Sequence, residues 1–115
     1  MLVVDDSRAM LDIMEHLLGF FGGSVHTAAT EEMAMAIADK HEFDLVISDH
    51  FLQETTGIEL LAKLRRKRPL LKAILMSGAF DPSEKEIKKH KLGAFLKKPF
   101  EMHELKTAIK KTLKI

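Results

Sequence analysis

Residues 44–52 have the sequence DLVISDHFL. The mostly apolar run at 45–48 predicts a buried strand over residues 44–48, and Asp49 is the first residue after that run able to carry a charge. In an open α/β sheet, the carboxyl ends of the strands form the edge at which ligands bind. Asp49 is therefore the central candidate for a functional residue.

Two further carboxylates, Asp5 and Asp6, follow another apolar run at residues 2–4. If the two strands are neighbours in the sheet, three acidic side chains share one pocket. Like charges in a half-buried site raise one another's pKa or recruit a metal ion. The sequence therefore predicts an acidic pocket that holds a cation.

Length and composition limit the classes of protein that fit. The chain has 115 residues, of which 46% are hydrophobic, and this predicts one domain over residues 1–115 with its own core. It has no Cys, which excludes a disulfide scaffold, a thiolate metal site and a Cys nucleophile. No apolar run approaches the about 20 residues of a membrane span, and no signal peptide is predicted, so we expect a cytoplasmic protein without a membrane partner.

The net charge of +1 conceals a strong asymmetry. Residues 1–57 contain 11 acidic and two basic residues, whereas residues 58–115 contain six acidic and 16 basic residues. In a compact fold this distribution gives a dipolar surface. The basic half has no aromatic-interleaved basic strip and no recognition helix, so we do not expect it to bind nucleic acid. A solvated face, or a docking face for an acidic partner, fits the pattern better.

Strand and helix signals alternate five times along the chain. This alternation predicts a three-layer, doubly wound α/β domain of the flavodoxin-like type, with a parallel sheet in the order 2-1-3-4-5. In that order the first and third strands are neighbours, so Asp5, Asp6 and Asp49 converge. The predicted strands are residues 2–4, 24–28, 44–48, 72–76 and 94–96, and the predicted helices are about 8–21, 31–41, 58–67, 82–92 and 102–113.

Helix details follow from the same patterns. Helical spacing of apolar residues predicts the inward face of each of the first two helices. In the first helix these residues are Met10, Ile13, Met14, Leu17, Leu18 and Phe21, and in the second they are Met33, Ala34, Ile37 and Ala38. Asp81 is predicted to cap the fourth helix, because Pro82 then occupies the first helical position, which proline favours.

Ser77 and Lys98 follow the fourth and fifth predicted strands, so they join the acidic residues at the same edge of the sheet. The combined set fits phosphoryl transfer to a carboxylate. Mg²⁺ would neutralise the acids and bind phosphoryl oxygens, Lys98 would supply a second positive charge, and Ser77 would supply a hydroxyl. Asp49 would be the nucleophile.

Four motifs in this order resemble the receiver domain of bacterial two-component response regulators, and the resemblance covers essentially the whole chain. The motifs are Leu2-Val3-Val4-Asp5-Asp6-Ser7, Asp44-Leu45-Val46-Ile47-Ser48-Asp49 with Gly57 eight residues later, Ser77-Gly78-Ala79, and Gly93-Ala94-Phe95-Leu96 followed by Lys98-Pro99-Phe100.

The resemblance implies specific roles for the acidic residues. Asp49 would accept a phosphoryl group from a histidine kinase or a histidine phosphotransfer protein. Asp6 and Asp49 would bind Mg²⁺ through their side chains, Phe51 through its backbone carbonyl, and Asp5 through water. A receiver domain assists only its own phosphorylation and dephosphorylation, so we do not expect an enzyme.

The resemblance also implies a switch. Ser77 and Phe95 would move inward together and remodel the face formed by the fourth helix, the fifth strand and the last helix. That face would contact an output domain, a target protein or a second copy of the domain. The peptide bond between Lys98 and Pro99 would be cis, an isomer that is accessible before proline.

Three residues depart from the family pattern or add to it. Gln53 stands where the family usually has Pro, so the loop after Asp49 is less restricted. Phe95 lacks the hydroxyl of the commoner Tyr, so burial alone would drive its movement. The bulky side chain of Phe51 lies close to the acceptor in sequence, and we hypothesise that it hinders an attacking water and lengthens the lifetime of the phosphorylated state.

Other classes of protein remain as alternatives. A phosphate-ester hydrolase with an Asp nucleophile would require Asp-x-Asp after the first strand, whereas Asp5 and Asp6 are adjacent. A flavin-binding module would require a loop rich in hydroxyl groups and Gly, whereas this loop presents two carboxylates. A degenerate receiver that acts as a scaffold without phosphorylation is the main alternative. Because the first strand is short, we also expect residues 1–115 to be part of a longer regulator or hybrid kinase.

Overall fold

Strands and helices alternate along residues 1–115, all of which are described by this computed structural model. The five strands are parallel and lie in the order β2-β1-β3-β4-β5, as predicted. None of the helices has the length and apolar composition that a membrane crossing requires. In chain order the elements are β1 (Leu2–Val4), α1 (Arg8–Leu18), β2 (His26–Ala28), α2 (Glu31–Lys40), β3 (Leu45–Asp49), α3 (Gly57–Lys67), β4 (Lys72–Ser77), α4 (Glu84–Lys89), β5 (Ala94–Lys97) and α5 (Met102–Leu113), with a 3₁₀ turn at Gly19–Phe21 after α1.

The central strands are buried on both faces of the sheet. Because successive side chains of a strand point to opposite faces, neighbouring residues of β1 enter different cores. Leu2 and Val4 pack with residues of α2 and α3, whereas Val3 packs with residues of α1 and α5. This two-sided burial explains why the strands are continuous apolar runs rather than alternating ones.

Two predictions of helix burial are wrong. Ile13 is 54% exposed and Met33 is 48% exposed. The buried face of α1 is centred on Leu11, Met14 and Leu18, and Ile13 lies about 100° from Met14 around the helix. In α2 the buried positions belong to small side chains, Ala34 and Ala38, and Met33 lies about 100° from Ala34 and about 140° from Ala38 around the helix.

The start of α4 also differs from the prediction. Ser83, not Asp81, is the capping residue: its Oγ accepts a hydrogen bond from the Glu86 amide, and the Glu86 carboxylate accepts one from the Ser83 amide. This reciprocal arrangement is a capping box. The Asp81 carboxylate instead accepts a hydrogen bond of 2.9 Å from Lys97 Nζ. The helix ends at Lys89 rather than near residue 92, and Lys91 has a φ of 50°.

His26, in β2, makes stability depend on pH. Its ring stacks on that of His41 with the centroids 4.3 Å apart. Burial lowers the pKa of His26 below its usual 6.5, and the positive charges of His41 and of the terminal amino group lower it further. Below about pH 6.5 the unfolded chain therefore binds more protons than the folded chain, so stability decreases as the pH falls.

We expect urea denaturation to give a lower free energy of unfolding at about pH 5.5 than at about pH 7.5, and His26→Gln to reduce this difference. Burial also lowers the pKa of His50, so part of the difference is expected to persist in the variant. His16→Gln, at an exposed position on α1, serves as the control. Equal pH dependence in all three proteins would contradict the assignment to His26.

Candidate functional site

Asp5 and Asp49 lie side by side because β1 and β3 are paired in register. Val4 is opposite Ser48, so the next residue of each strand is an acid at the same level of the sheet. The Asp5 amide donates to the carbonyl of Ala28, at 3.1 Å, and one Asp5 carboxylate oxygen accepts from the Ser7 amide at 2.9 Å. These bonds fix the direction of the Asp5 side chain.

Three carboxylates and one ammonium group form the acidic pocket. Asp5, Asp6 and Asp49 each offer an oxygen, and these oxygens lie within 4.8 Å of one another. Asp5 is 1% exposed, Asp49 is partly buried and Asp6 is exposed, so the pocket opens to solvent beside Asp6. The Nζ of Lys98 lies 2.7 Å from Asp5 Oδ2 and 3.4 Å from Asp49 Oδ1. With three negative charges and one positive charge, the formal charge of the pocket is −2.

Lys98 reaches the acids because β5 ends beside β4. Ser77 and Lys97 are paired in the sheet, and the Lys98 amide donates to the Ser77 carbonyl at 2.9 Å. The peptide bond between Lys98 and Pro99 is cis. The fifth strand thus delivers an ammonium group to a pocket whose acids come from the first and third strands.

The pKa of Asp49 is raised above its usual value of 3.8. Burial is the largest cause, and the negative charges of Asp5 and Asp6 add to it, whereas Lys98 opposes it. Ionisation of Asp49 is therefore less favourable in the pocket than in water. A bound cation would relieve this repulsion.

The donor set fits Mg²⁺. Every donor side chain in the pocket is a carboxylate, and hard cations such as Mg²⁺ prefer oxygen ligands. The excess of negative charge calls for a cation rather than an anion. Phe51, whose backbone carbonyl is a predicted ligand, lies two residues after Asp49 at the start of the next loop, where it forms an isolated bridge with Thr56.

The two predicted switch residues, Ser77 and Phe95, lie near the edge of the sheet that carries the acidic pocket, but their contacts are with residues outside the pocket. Ser77 is buried, and its Oγ accepts hydrogen bonds from the amides of Ala79 and Phe80 at 3.1 and 3.0 Å. Its hydroxyl therefore shapes the turn after β4. Phe95 is half-buried, is paired with Leu75 in the sheet, and packs against the core beneath α2 and α3.

An aromatic cluster of His50, Phe51 and Phe80 adjoins the carboxyl end of β3, the strand that carries Asp49. The His50 ring stacks on Phe80 with centroids 4.0 Å apart, and the Phe51 ring stands edge-on to His50 at 4.8 Å. His50 is buried, and its Nδ1 has no hydrogen-bond partner. Burial lowers the pKa of His50. Sequence reasoning singled out Phe51 but missed Phe80, because a residue in a turn carries no periodic signal.

Comparison with known proteins places this geometry in a family. The sequence profile described as response regulator receiver domain matches residues 1–110. The alkaline phosphatase synthesis transcriptional regulatory protein PhoP of Bacillus subtilis is 32% identical over 115 residues, which are 98% of this chain and 48% of PhoP. Sensor kinase CckA of Brucella abortus is 34% identical over 115 residues, which are 97% of this chain and 12% of CckA. The chain therefore spans about half the length of the first relative and about an eighth of the second.

Comparison with solved structures also gives a receiver-domain match, and this match covers nearly the whole length of both chains. Chemotaxis protein CheY4 of Vibrio cholerae matches with a TM-score of 0.86 and 30% identity, covering 96% of this chain and 95% of CheY4. Because the profile, the relatives and the solved structure all align across nearly every residue, this chain belongs to the response regulator receiver domain family of two-component systems.

Proposed function

We propose that residues 1–115 form a single receiver domain in which Asp49 accepts a phosphoryl group from a phosphohistidine, with Mg²⁺ bound. The donor would be a histidine kinase or a histidine phosphotransfer protein. The proposal rests on one observation: carboxylates from neighbouring strands lie within 4.8 Å of one another, and Lys98 bridges Asp5 and Asp49. We regard the domain as a signalling module rather than an enzyme.

In the proposed reaction an oxygen of Asp49 attacks phosphorus. The new bond joins this oxygen to phosphorus, the bond from phosphorus to the donor's histidine nitrogen breaks, and that nitrogen keeps the electron pair. Asp6 and Asp49 would hold Mg²⁺ through their side chains, Phe51 through its carbonyl and Asp5 through water. The bound ion supplies positive charge to the phosphoryl oxygens.

Lys98 has two tasks in this proposal. Before transfer, its ammonium group offsets part of the repulsion between Asp5 and Asp49. During transfer, the same group stabilises negative charge on an equatorial phosphoryl oxygen, since it already lies beside the acceptor. Both tasks require the ammonium group to stay near Asp49, and the β4–β5 pairing favours this position.

The output of the switch would be the face formed by α4, β5 and α5. We propose that phosphorylation draws Ser77 and Phe95 inward and that an output domain, a target protein or a second copy contacts the remodelled face. Its exposed lysines favour an acidic partner surface. These lysines are Lys88, Lys89, Lys106 and Lys110.

Incubation with Mg²⁺ and acetyl phosphate, followed by intact-mass spectrometry, tests the acceptor. We expect the unmodified chain to gain one phosphoryl group and Asp49→Asn to gain none. Asp12→Asn, which removes an exposed acid from α1, is the matched control and is expected to be phosphorylated. Absence of phosphorylation in the unmodified chain, with this donor and with a phosphorylated kinase, would favour the scaffold alternative.

The Asp49→Asn protein is expected to remain folded. Since the folded state raises the pKa of Asp49, ionisation of this residue opposes folding, and stability is lost as the pH rises above about 3.8. An uncharged side chain at this position removes that penalty at neutral pH. A higher melting temperature for the variant would therefore exclude unfolding as the reason for lost phosphorylation.

Phe51 is expected to slow hydrolysis of the phosphorylated state. Its ring is 51% exposed and stands beside the acceptor strand, edge-on to His50. We expect Phe51→Asn to raise the rate of dephosphorylation about tenfold, because a smaller polar side chain admits water to the phosphoryl group. The fall of the phosphorylated fraction over time, followed by intact-mass spectrometry, measures this rate. Phe20→Asn, at an exposed ring after α1, is the control, and equal rates in all three proteins would contradict the hypothesis.

A further inference from the structure

A cluster of cations lines a cavity at the edge of the sheet opposite to the acidic pocket. The cavity has a volume of about 400 Å³ and lies where the segments before β4 and β5 meet the end of α5. It contains no acidic residue in its wall. The positively charged residues of the wall are Arg65, Lys72, Lys91 and Lys114.

Arg65 is held in place without a counter-ion. Its Nε donates to the carbonyl of Leu71 at 2.9 Å, and its other nitrogens donate to the carbonyls of His90 and Lys91. All of these acceptors are neutral backbone groups. Burial lowers the pKa of Arg65, as expected for a partly desolvated charge that no carboxylate balances.

The three lysines of the wall are also unpaired. Several other lysines of the chain form ion pairs, for example Lys63 with Glu31 and Lys97 with Asp81, but Lys72, Lys91 and Lys114 form none. Four positive charges therefore surround one cavity without compensation. This arrangement differs from a solvated lysine-rich surface, because three hydrogen bonds fix the position of one of the four cations, Arg65.

Two of the lysines in the wall of the cavity also have an unusual backbone conformation. Lys91 and Lys114 have φ angles of 50° and 59°, in the left-handed region that glycine favours. Gly93 allows Thr112 to approach closely, since a Cβ at position 93 would lie 2.3 Å from Thr112 Cγ2. Thr112 is 5% exposed, and its Oγ1 has no hydrogen-bond partner. The wall thus contains an unused hydroxyl beside the cations.

We propose that this cavity binds a small, multiply charged phosphorylated anion. Guanidinium and ammonium groups are the usual protein ligands of phosphoryl oxygens. The volume lies within the range of about 300 to 1,000 Å³ that is typical of small-molecule sites. The cavity shares no residue with the acidic pocket, so the proposal does not depend on phosphorylation of Asp49. An acidic segment of another protein is the competing occupant.

The test is a titration of the protein with inorganic pyrophosphate, without Mg²⁺, in which the amide NMR shifts are followed. We expect saturable shifts centred on the amides of Lys91, Gly93 and Lys114. The double variant Lys91→Gln, Lys114→Gln is expected to weaken binding by about tenfold or more. Lys40→Gln, Lys85→Gln removes the same charge from exposed positions outside the cavity, and is expected to change binding by less than about twofold.

Three outcomes would overturn the proposal. One is the absence of saturable shifts, or shifts confined to the edge that carries Asp49 and Lys98. Another is equal weakening by the two double variants, which would indicate non-specific attraction to a basic surface. The third is a preference for citrate or for a glutamate-rich peptide over pyrophosphate, since these probes carry the charge without the phosphoryl group. The amide spectra of the variants show whether they remain folded.

Discussion

Replacing Gly57 with alanine is expected to lower the free energy of unfolding by about 3 kcal/mol and the melting temperature by about 10 °C. A Cβ at position 57 would lie 2.6 Å from Leu75 Cδ1 and 2.7 Å from the backbone oxygen of Asp49. The oxygen belongs to a central strand and cannot move aside without disturbing the sheet. The first turn of α3 must therefore shift away from β3.

The shift would also break a local hydrogen bond. The Gly57 amide donates to the carbonyl of His50 at 2.6 Å, which closes the loop that carries Phe51. Thermal and urea unfolding measure the loss of stability. Gly19→Ala is the matched control, because a Cβ at position 19 meets nothing within 4 Å. Equal melting temperatures for the two variants would show that α3 adjusts to the extra methyl group.

Replacing Lys98 with glutamine is expected to reduce the rate of phosphoryl uptake from acetyl phosphate about 100-fold. The variant keeps a polar side chain but removes the positive charge that faces both Asp5 and Asp49. Because Lys98 lowers the pKa of Asp49, its loss is expected to raise that pKa further. Carbon NMR of the Asp49 carboxyl group measures this second effect independently of phosphorylation.

Lys97→Gln provides the control for Lys98. Lys97 is adjacent in sequence, but its Nζ pairs with the exposed carboxylate of Asp81 at 2.9 Å and not with Asp5 or Asp49. We expect it to change neither the uptake rate nor the Asp49 pKa. If Lys97→Gln and Lys98→Gln reduce uptake to the same extent, the effect of Lys98 is a general effect of surface charge.

The strand order and the convergence of the acids are predictable from sequence for one physical reason. Apolar runs that are buried on both faces require helices on both sides of the sheet, and right-handed crossovers then leave few topologies. Once β1 and β3 are neighbours, their carboxyl ends bring Asp5 and Asp49 together. The bounds of α5 are also as predicted, residues 102–113, because its apolar period is regular.

Features that depend on contacts between distant segments could not be predicted. The pairing of Asp81 with Lys97 joins the segment before α4 to β5, whereas the cap at Ser83 is a local capping box with Glu86 that the sequence alone could have indicated. The stacking of His50 on Phe80 joins two loops whose conformations no periodicity specifies. The cationic cavity is likewise invisible in sequence, since Lys91 and Lys114 meet only in the folded chain.

The position of α3 gives the domain a mechanical property. At one end of this helix, the Gly57 amide is hydrogen-bonded to the carbonyl of His50, in the loop after Asp49. Near the other end, the Arg65 side chain is hydrogen-bonded to backbone carbonyls of the connection that leads into β5. The 11 residues of α3 form a rod about 16 Å long. Because both ends of α3 are hydrogen-bonded in this way, the helix is a continuous physical connection between the loop after Asp49 and the segment just before β5.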